Sequence, residues 1–274
     1  MNHYWWNGHV VETDMNLRRV APCVSADPDL TVIQRHDPTG SPTSSALDDS
    51  HIRLSRRGSE CRLMAPDAGQ FTLSLSAARI TFAAHGQPSA NAIEHRLLQS
   101  VLPFFAALNG HLCLHAVAVS DTTGAATLWV GDTGLGKSTA GAGAVARGGR
   151  LICDDVALVR PTDDGLGVQL GARTLRLASP SPDQPRFPHA DWFQNQTKRD
   201  YFVACPAPEQ TFPVARVLFG RIQADGTRLW ESAAEDPKSA VAELCGHAFG
   251  WEILTTAERG RLFGHIVDLT RQLV

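Results

Sequence analysis

Apolar and polar positions alternate in period two through much of the first third of the chain. Phe71-Thr72-Leu73-Ser74-Leu75 is the clearest run, and Arg79-Ile80-Thr81-Phe82 follows it after a short turn. Residues 61–84 are therefore expected to form a β-meander. Tyr4-Trp5-Trp6 and Leu30-Thr31-Val32-Ile33 predict shorter strands, while residues 37–45, rich in Pro, Thr and Ser, are a loop by composition. The Trp5-Trp6 pair is assigned to core or domain contact. From Asn91 the period changes: Ile93, Leu97, Leu98, Val101 and Phe105 recur at helical spacing, with Asn91 and Glu94 as a capping pair. Pro103 is expected to kink or end this helix within a turn, and Gly110 closes the segment. A domain boundary is placed near residue 108.

The second part of the chain reads as strands mixed with helices. His111–Val119 predicts a buried strand, Asp121–Gly124 a tight turn, and residues 125–130 a second strand completing a hairpin. Residues 137–147 are rich in alanine, lack proline and stop at Gly148-Gly149, which is a helix with its C-cap. Arg150–Val159 is an apolar strand interrupted by Asp154-Asp155. Thr162–Gly165 is a hairpin turn, Gly167–Leu177 supplies more strands, and residues 179–188 form a proline-rich loop. An extended segment starts at Lys198-Arg199, and Val214–Ile222 is a strong strand. Two helices close the chain. Asp236-Pro237 opens one as N-cap and N1, and Thr255 with Glu258 forms a capping box for the other.

These elements, with the glycine-rich Gly131–Gly136 followed by Lys137-Ser138 between a strand and a helix, predict an α/β fold: a P-loop-containing mixed sheet with flanking helices, preceded by a smaller α+β region. Residues 1–108 are the N-terminal region, a candidate for substrate recognition, and 109–274 the catalytic domain. The chain has 274 residues, 43% of them hydrophobic and 19% charged, which is ordinary for a globular protein. A net charge of −3 gives no electrostatic case for nucleic acid or a membrane surface. No apolar run approaches the roughly 18–20 residues of a spanning helix, and Met1–Trp6 does not open a signal peptide. Six dispersed cysteines without a C-x-x-C pair argue against zinc and disulfides, and a cytoplasmic location is expected. Cys113 and Cys153, inside apolar strands, read as small core residues.

The chemistry concentrates in Gly131-Asp132-Thr133-Gly134-Leu135-Gly136-Lys137-Ser138-Thr139, a match to G-x-x-x-x-G-K-[ST]. Glycines let successive backbone N–H groups turn inward around a phosphate, and the following helix adds its positive end. Lys137 is expected on the β- and γ-phosphates of ATP and the Ser138 hydroxyl on Mg²⁺. Lysine is scarce, Lys137, Lys198 and Lys238 standing against 22 arginines, so a chance match is rare. Asp154-Asp155 stands where a Walker B acid belongs, at the end of an apolar strand. Together with His115 these residues suggest phosphoryl transfer to a hydroxyl, one Asp helping to hold the metal and the other accepting the proton.

At Leu114–Val119, Gly131–Thr139 and Arg147–Asp155 the sequence resembles the catalytic domain of HPr kinase/phosphorylase. It looks closer still to the stand-alone HPr-kinase-like proteins found beside peptide-maturation genes, including lasso-peptide precursor kinases. The resemblance is specific over about residues 111–160 and faint before 90. It implies an HPr kinase/PEP carboxykinase-like fold and a serine kinase using ATP and Mg²⁺. It also implies Asp155 as proton acceptor for the substrate serine, Asp154 with Ser138 at the metal, and His115 near the transferred phosphate. The acceptor would be a peptide or small protein, and a homo-oligomer is expected by analogy with ring-forming relatives. The family's glycine-rich signature is absent after Asp155, where Gly171–Leu177 holds Arg173 and Arg176 instead, so neither the reverse phosphorolysis nor HPr as substrate carries over. Lys198 and Arg199 are either cations for the moving phosphoryl group or solvated charges at a strand start. Two alternatives stand beside the peptide kinase: a kinase for a small-molecule hydroxyl, and a nucleotide-binding regulatory protein without an acceptor.

Overall fold

The computed structural model describes residues 1–24, 27–35, 52–163, 165–178, 189–194, 198–203, 205–233 and 235–274, with 189–194 described by backbone alone. The loops expected at 37–45 and 179–188 lie outside the described residues. The architecture is mixed α/β, with two large mixed sheets, a small antiparallel one and few helices.

The first sheet contains β1 (Asn2–Trp6), β2 (His9–Thr13), β3 (Ala21–Pro22), β4 (Leu30–Arg35), β5 (Arg53–Arg57), β6 (Glu60–Ala65), β7 (Gly69–Ser74) and β8 (Arg79–Ala84), in the order β3-β1-β2-β4-β8-β7-β6-β5. The meander read from the period-two pattern is β6-β7-β8, and β4 runs parallel to both β2 and β8. Alternation places Cys61, Leu63, Phe71, Leu73, Ile80 and Phe82 on the buried face. Phe71 and Phe82 are direct cross-strand partners with ring centroids 4.6 Å apart. Trp6 is buried in this core.

Against this face lies one continuous helical rod, α1 (Ala90–Arg96), a π-helical turn at Leu97–Val101, and α2 (Leu102–Leu108). Pro103 does not end it. A proline ring crowds the carbonyl four residues back, here Gln99, and the π turn opens the backbone at that point, with Leu102 N–H bonding Leu97 O. The cap also differs from expectation. Ser89, not Asn91, accepts the Ala92 N–H, and Glu94 instead binds the backbone N–H groups of Arg18 and Arg19.

The remaining elements are β9 (Leu112–Leu114), β10 (Ala116–Ser120), β11 (Ala126–Val130), α3 (Lys137–Ala146), β12 (Arg150–Cys153), β13 (Ala157–Thr162), β14 (Gly165–Val168), β15 (Thr174–Ala178), β16 (His189–Gln194), β17 (Lys198–Phe202), β18 (Phe212–Ile222), β19 (Arg228–Ser232), α4 (Pro237–Gly246) and α5 (Thr256–Gln272). The second sheet runs β12-β10-β11-β18-β14-β13-β9, with β19 on β18, and β15-β17-β16 form the third. The hairpin entering the Gly131–Gly136 loop is β10-β11, and β18 pairs parallel with β11. The single strand expected over His111–Val119 is divided at His115. β9 pairs with β13 and β10 with β11 and β12, while the His115 N–H leaves both ladders for His247 O at 2.9 Å.

Helix α3 lies between β10 and β15, and its small residues allow the close approach: a Cβ on Gly141 would sit 2.5 Å from Val117 Cγ1. The expected caps are present at α3, where Gly148 takes φ +98°, at α4, where Asp236 accepts from Ser239 N–H, and at α5, where Thr255 and Glu258 form the capping box. The core beneath the first sheet extends past residue 108 to include Cys113, Val156, Leu158, Leu254 and Leu262. All six cysteines are free, and burial pushes the Cys113 and Cys153 thiols up, as for inert core residues. Among the described residues, no helix is long and apolar enough to cross a membrane.

Candidate phosphate-binding and transfer site

The loop from Gly131 to Gly136 joins β11 to α3 through backbone that side chains resist. Gly131, Gly134 and Gly136 take φ of +151°, +91° and +90°. Gly136 is the N-cap of α3 and makes no side-chain capping bond, so the first-turn N–H groups are free of the usual hydroxyl or carboxylate partner. That is the condition for an anion site at a helix N-terminus.

Lys137 is 5% exposed and is turned back on its own loop, its Nζ donating to Gly131 O at 2.7 Å and Asp132 O at 3.1 Å. Burial lowers its pKa, while Asp155, Asp154 and Asp132 pull the other way. Ser138, one residue on, donates its hydroxyl to Asp154 Oδ1 at 2.9 Å. The other oxygen, Oδ2, accepts the Arg176 N–H at 2.7 Å. Asp154 is 3% exposed, and burial first, then the neighbouring Asp155 charge, push its pKa up to about 7.

β12 ends at Cys153, so both carboxylates lie in the bend before β13. Asp155 takes φ +69°, a left-handed conformation uncommon outside glycine, and this turns consecutive acids in different directions. Asp154 points into the protein toward Ser138, and Asp155 lines the cavities. His115 Nε2 stands 4.0 Å from Asp155 Oδ1. Burial and then Lys137 hold His115 down to about 4, against the pull of Asp155, so it is neutral at pH 7 and brings no positive charge.

Two cavities meet here. One, of about 170 Å³, lies over the glycine-rich loop and is lined by Gly134, Gly136, Lys137, Ser138 and Thr139, with Arg228 reaching in from β19. The other is an open cleft of about 640 Å³ whose walls include His95, Gln99 and Phe104 from the helical rod, Asp132 from the loop, and His247 and Phe249 after α4. Five residues line both: His115, Thr133, Asp155, Arg176 and Lys198. Gly131 and Leu135 of the motif line neither. The Gly131 carbonyl holds Lys137, and Leu135 packs between Gly131 and Gly220.

The alternation of β17 separates Lys198 from Arg199. Lys198 lines both cavities, whereas Arg199, next on the strand and paired with Leu177, lines neither. Arg176 was visible in the sequence only as one of two arginines in an extended run. Its placement comes from β15 lying beside Asp154, a contact no local pattern announces. Arg228, His247 and Phe249 carried no sequence signal.

The residues fit a magnesium ion held jointly with a nucleotide. A hydroxyl bonded to a carboxylate beside the glycine-rich loop is a hard-oxygen donor set. Among the described residues no three His, Cys, Asp or Glu side chains converge to hold a metal by themselves.

No protein-family model matches the chain, and no curated protein matches it. Among solved structures it is similar to the Hpr(Ser) kinase/phosphatase from Coxiella burnetii, at 15% identity and a TM-score of 0.21, over 44% of this chain and 83% of that one.

Proposed function

We propose that the protein is an ATP- and Mg²⁺-dependent kinase that phosphorylates a serine hydroxyl of a peptide or small protein, such as a lasso-type precursor peptide. The observation that carries the reading is the junction of the two cavities. The smaller one has the backbone, lysine and hydroxyl of a phosphate site, the larger one can admit an acceptor, and Asp155 stands where they meet.

The chain's residues divide the work as follows. Gly131–Thr139 binds the phosphate tail, and Lys137 exchanges its loop carbonyls for phosphate oxygens. Ser138, steadied by Asp154, holds Mg²⁺, which when bound neutralises charge on those oxygens. Asp155 accepts the serine proton as the hydroxyl oxygen bonds to the γ-phosphorus and the bridging P–O bond to ADP breaks. Lys137, Arg176 and Lys198 offset the charge of the moving group. Neutral His115, beside Asp155, orients rather than charges the site. The breadth of the cleft favours a chain segment over a small enclosed alcohol as acceptor.

The test is Asp155→Asn. The variant is expected to fold and bind ATP with Mg²⁺ as the wild type does, while transfer falls by about 10²–10⁴-fold, the usual worth of a positioned base. A folded, ATP-binding Asp155→Asn that transfers phosphate normally overturns the mechanism.

A further inference from the structure

Arg19 is 1% exposed and comes from a segment between β2 and β3, far from the phosphate loop in sequence. Its guanidinium joins two buried acids, Nη1 lying 3.1 Å from Glu94 Oε2 and Nη2 lying 2.9 Å from Asp200 Oδ2. The far oxygen of Asp200 accepts from Arg176 Nε at 3.2 Å. Asp200 and Arg176 are also direct cross-strand partners on β17 and β15. The backbone of Arg19 takes part as well. Its N–H donates to Glu94 Oε1 at 2.7 Å, and its carbonyl accepts the Arg173 N–H at 2.6 Å. Arg19 thus grips the start of β15 by main chain and Arg176 by way of Asp200, while the Arg176 N–H holds Asp154.

We propose that Asp200 and Arg19 are positioning residues that fix the Arg176 guanidinium where the two cavities meet, so that it grips the terminal phosphate of ATP. This rests on the kinase reading above. Arg176 and Lys198 are the two cations that line both cavities, and a γ-phosphate passing from the loop to the cleft must cross that point. An arginine is useful there only if its planar fork is held in one orientation, and a carboxylate behind Nε does this. Burying a further arginine and glutamate behind that carboxylate is costly. Apolar residues of similar volume often stabilise as well, which makes orientation the better reason for the chain of charges. The N-terminal region then contributes to phosphate recognition as well as forming a wall of the cleft.

The test compares ATP and ADP binding by calorimetry with Mg²⁺, without any acceptor, in the full-length protein. Arg176→Gln is expected to lower the preference for ATP over ADP by about 10-fold or more, the worth of a charge-assisted hydrogen bond, and to leave ADP affinity nearly unchanged. Asp200→Asn should lower the same ratio, and the double variant should be no worse than Arg176→Gln alone, because Asp200 acts through Arg176. If Asp200→Asn does not fold, Arg19→Lys, which keeps the charge but loses the fork, takes its place in the cycle. Folded variants that lose thermal stability but keep the ratio, or a double variant whose losses multiply, overturn the proposal and leave the kinase reading standing. A wild type that binds neither nucleotide overturns both.

Discussion

Ser138 donates its hydroxyl to Asp154 Oδ1 at 2.9 Å, tying the first turn of α3 to the end of β12. The bond places the proposed metal-holding hydroxyl against a buried carboxylate whose other oxygen is held by the Arg176 N–H. Ser138→Ala is expected to weaken Mg²⁺-dependent ATP binding by at least about 10-fold, the worth of one charge-assisted contact. Binding measured without Mg²⁺ should change far less. Equal losses with and without the ion would remove Ser138 from the metal.

Asp155 holds φ +69°, which asparagine tolerates and alanine does not share. Asp155→Asn and Asp155→Ala should both lose transfer, but only the alanine variant should lose about 1 kcal/mol of stability to the backbone. Urea unfolding of the two side by side checks this, and equal midpoints would contradict it.

Two glycines of α3 should respond in opposite directions to alanine. At Gly141 a Cβ would meet Val117 Cγ1 at 2.5 Å, and overpacking of that kind costs about 1–3 kcal/mol. At Gly143 the nearest obstacle is the flexible end of Arg147 at 3.3 Å, so helix propensity should prevail and stabilise by up to about 1 kcal/mol. Thermal unfolding of Gly141→Ala and Gly143→Ala gives the comparison, and a stabilised Gly141→Ala would refute the tight packing of α3 on β10.

Glu258 is bound by Arg56 through Oε2 at 2.6 Å and Oε1 at 2.8 Å, and this pair is the main reason its pKa falls to about 2. A carboxylate depressed in the folded state stabilises above its unfolded pKa of about 4.3, and that contribution is lost as pH falls toward 2. Arg56→Met should therefore flatten the loss of stability between about pH 4.5 and pH 2. An unchanged acid limb would show that the pair contributes nothing to folding.

The features legible in the sequence are those written within a few neighbouring residues. The strand–loop–helix around Gly131–Gly136, the Asp154-Asp155 pair at a strand end, the meander and the caps at Asp236 and Thr255 each follow from spacing and residue type. What escaped depends on contacts across the chain. Glu94 looked like half of a capping pair, yet its partner Arg19 lies 75 residues away, and the Arg19–Asp200 contact spans 181. His115 sits in an unbroken apolar run, and only the separate ladders with β13 before it and β11 after it divide it there. Pro103 failed to stop its helix because one π turn relieved the clash. Lys198 and Arg199 were equivalent as text, and the direction of β17 decided between them.

The most direct measurement is transfer of the γ-phosphate from labelled ATP, with Mg²⁺, to peptides encoded beside the gene, read by mass. A single phosphate on one serine, lost with Asp155→Asn, is the expected result. Tight ATP binding with no phosphate on any peptide would contradict the peptide-kinase reading and return the choice to a small-molecule acceptor or a nucleotide switch.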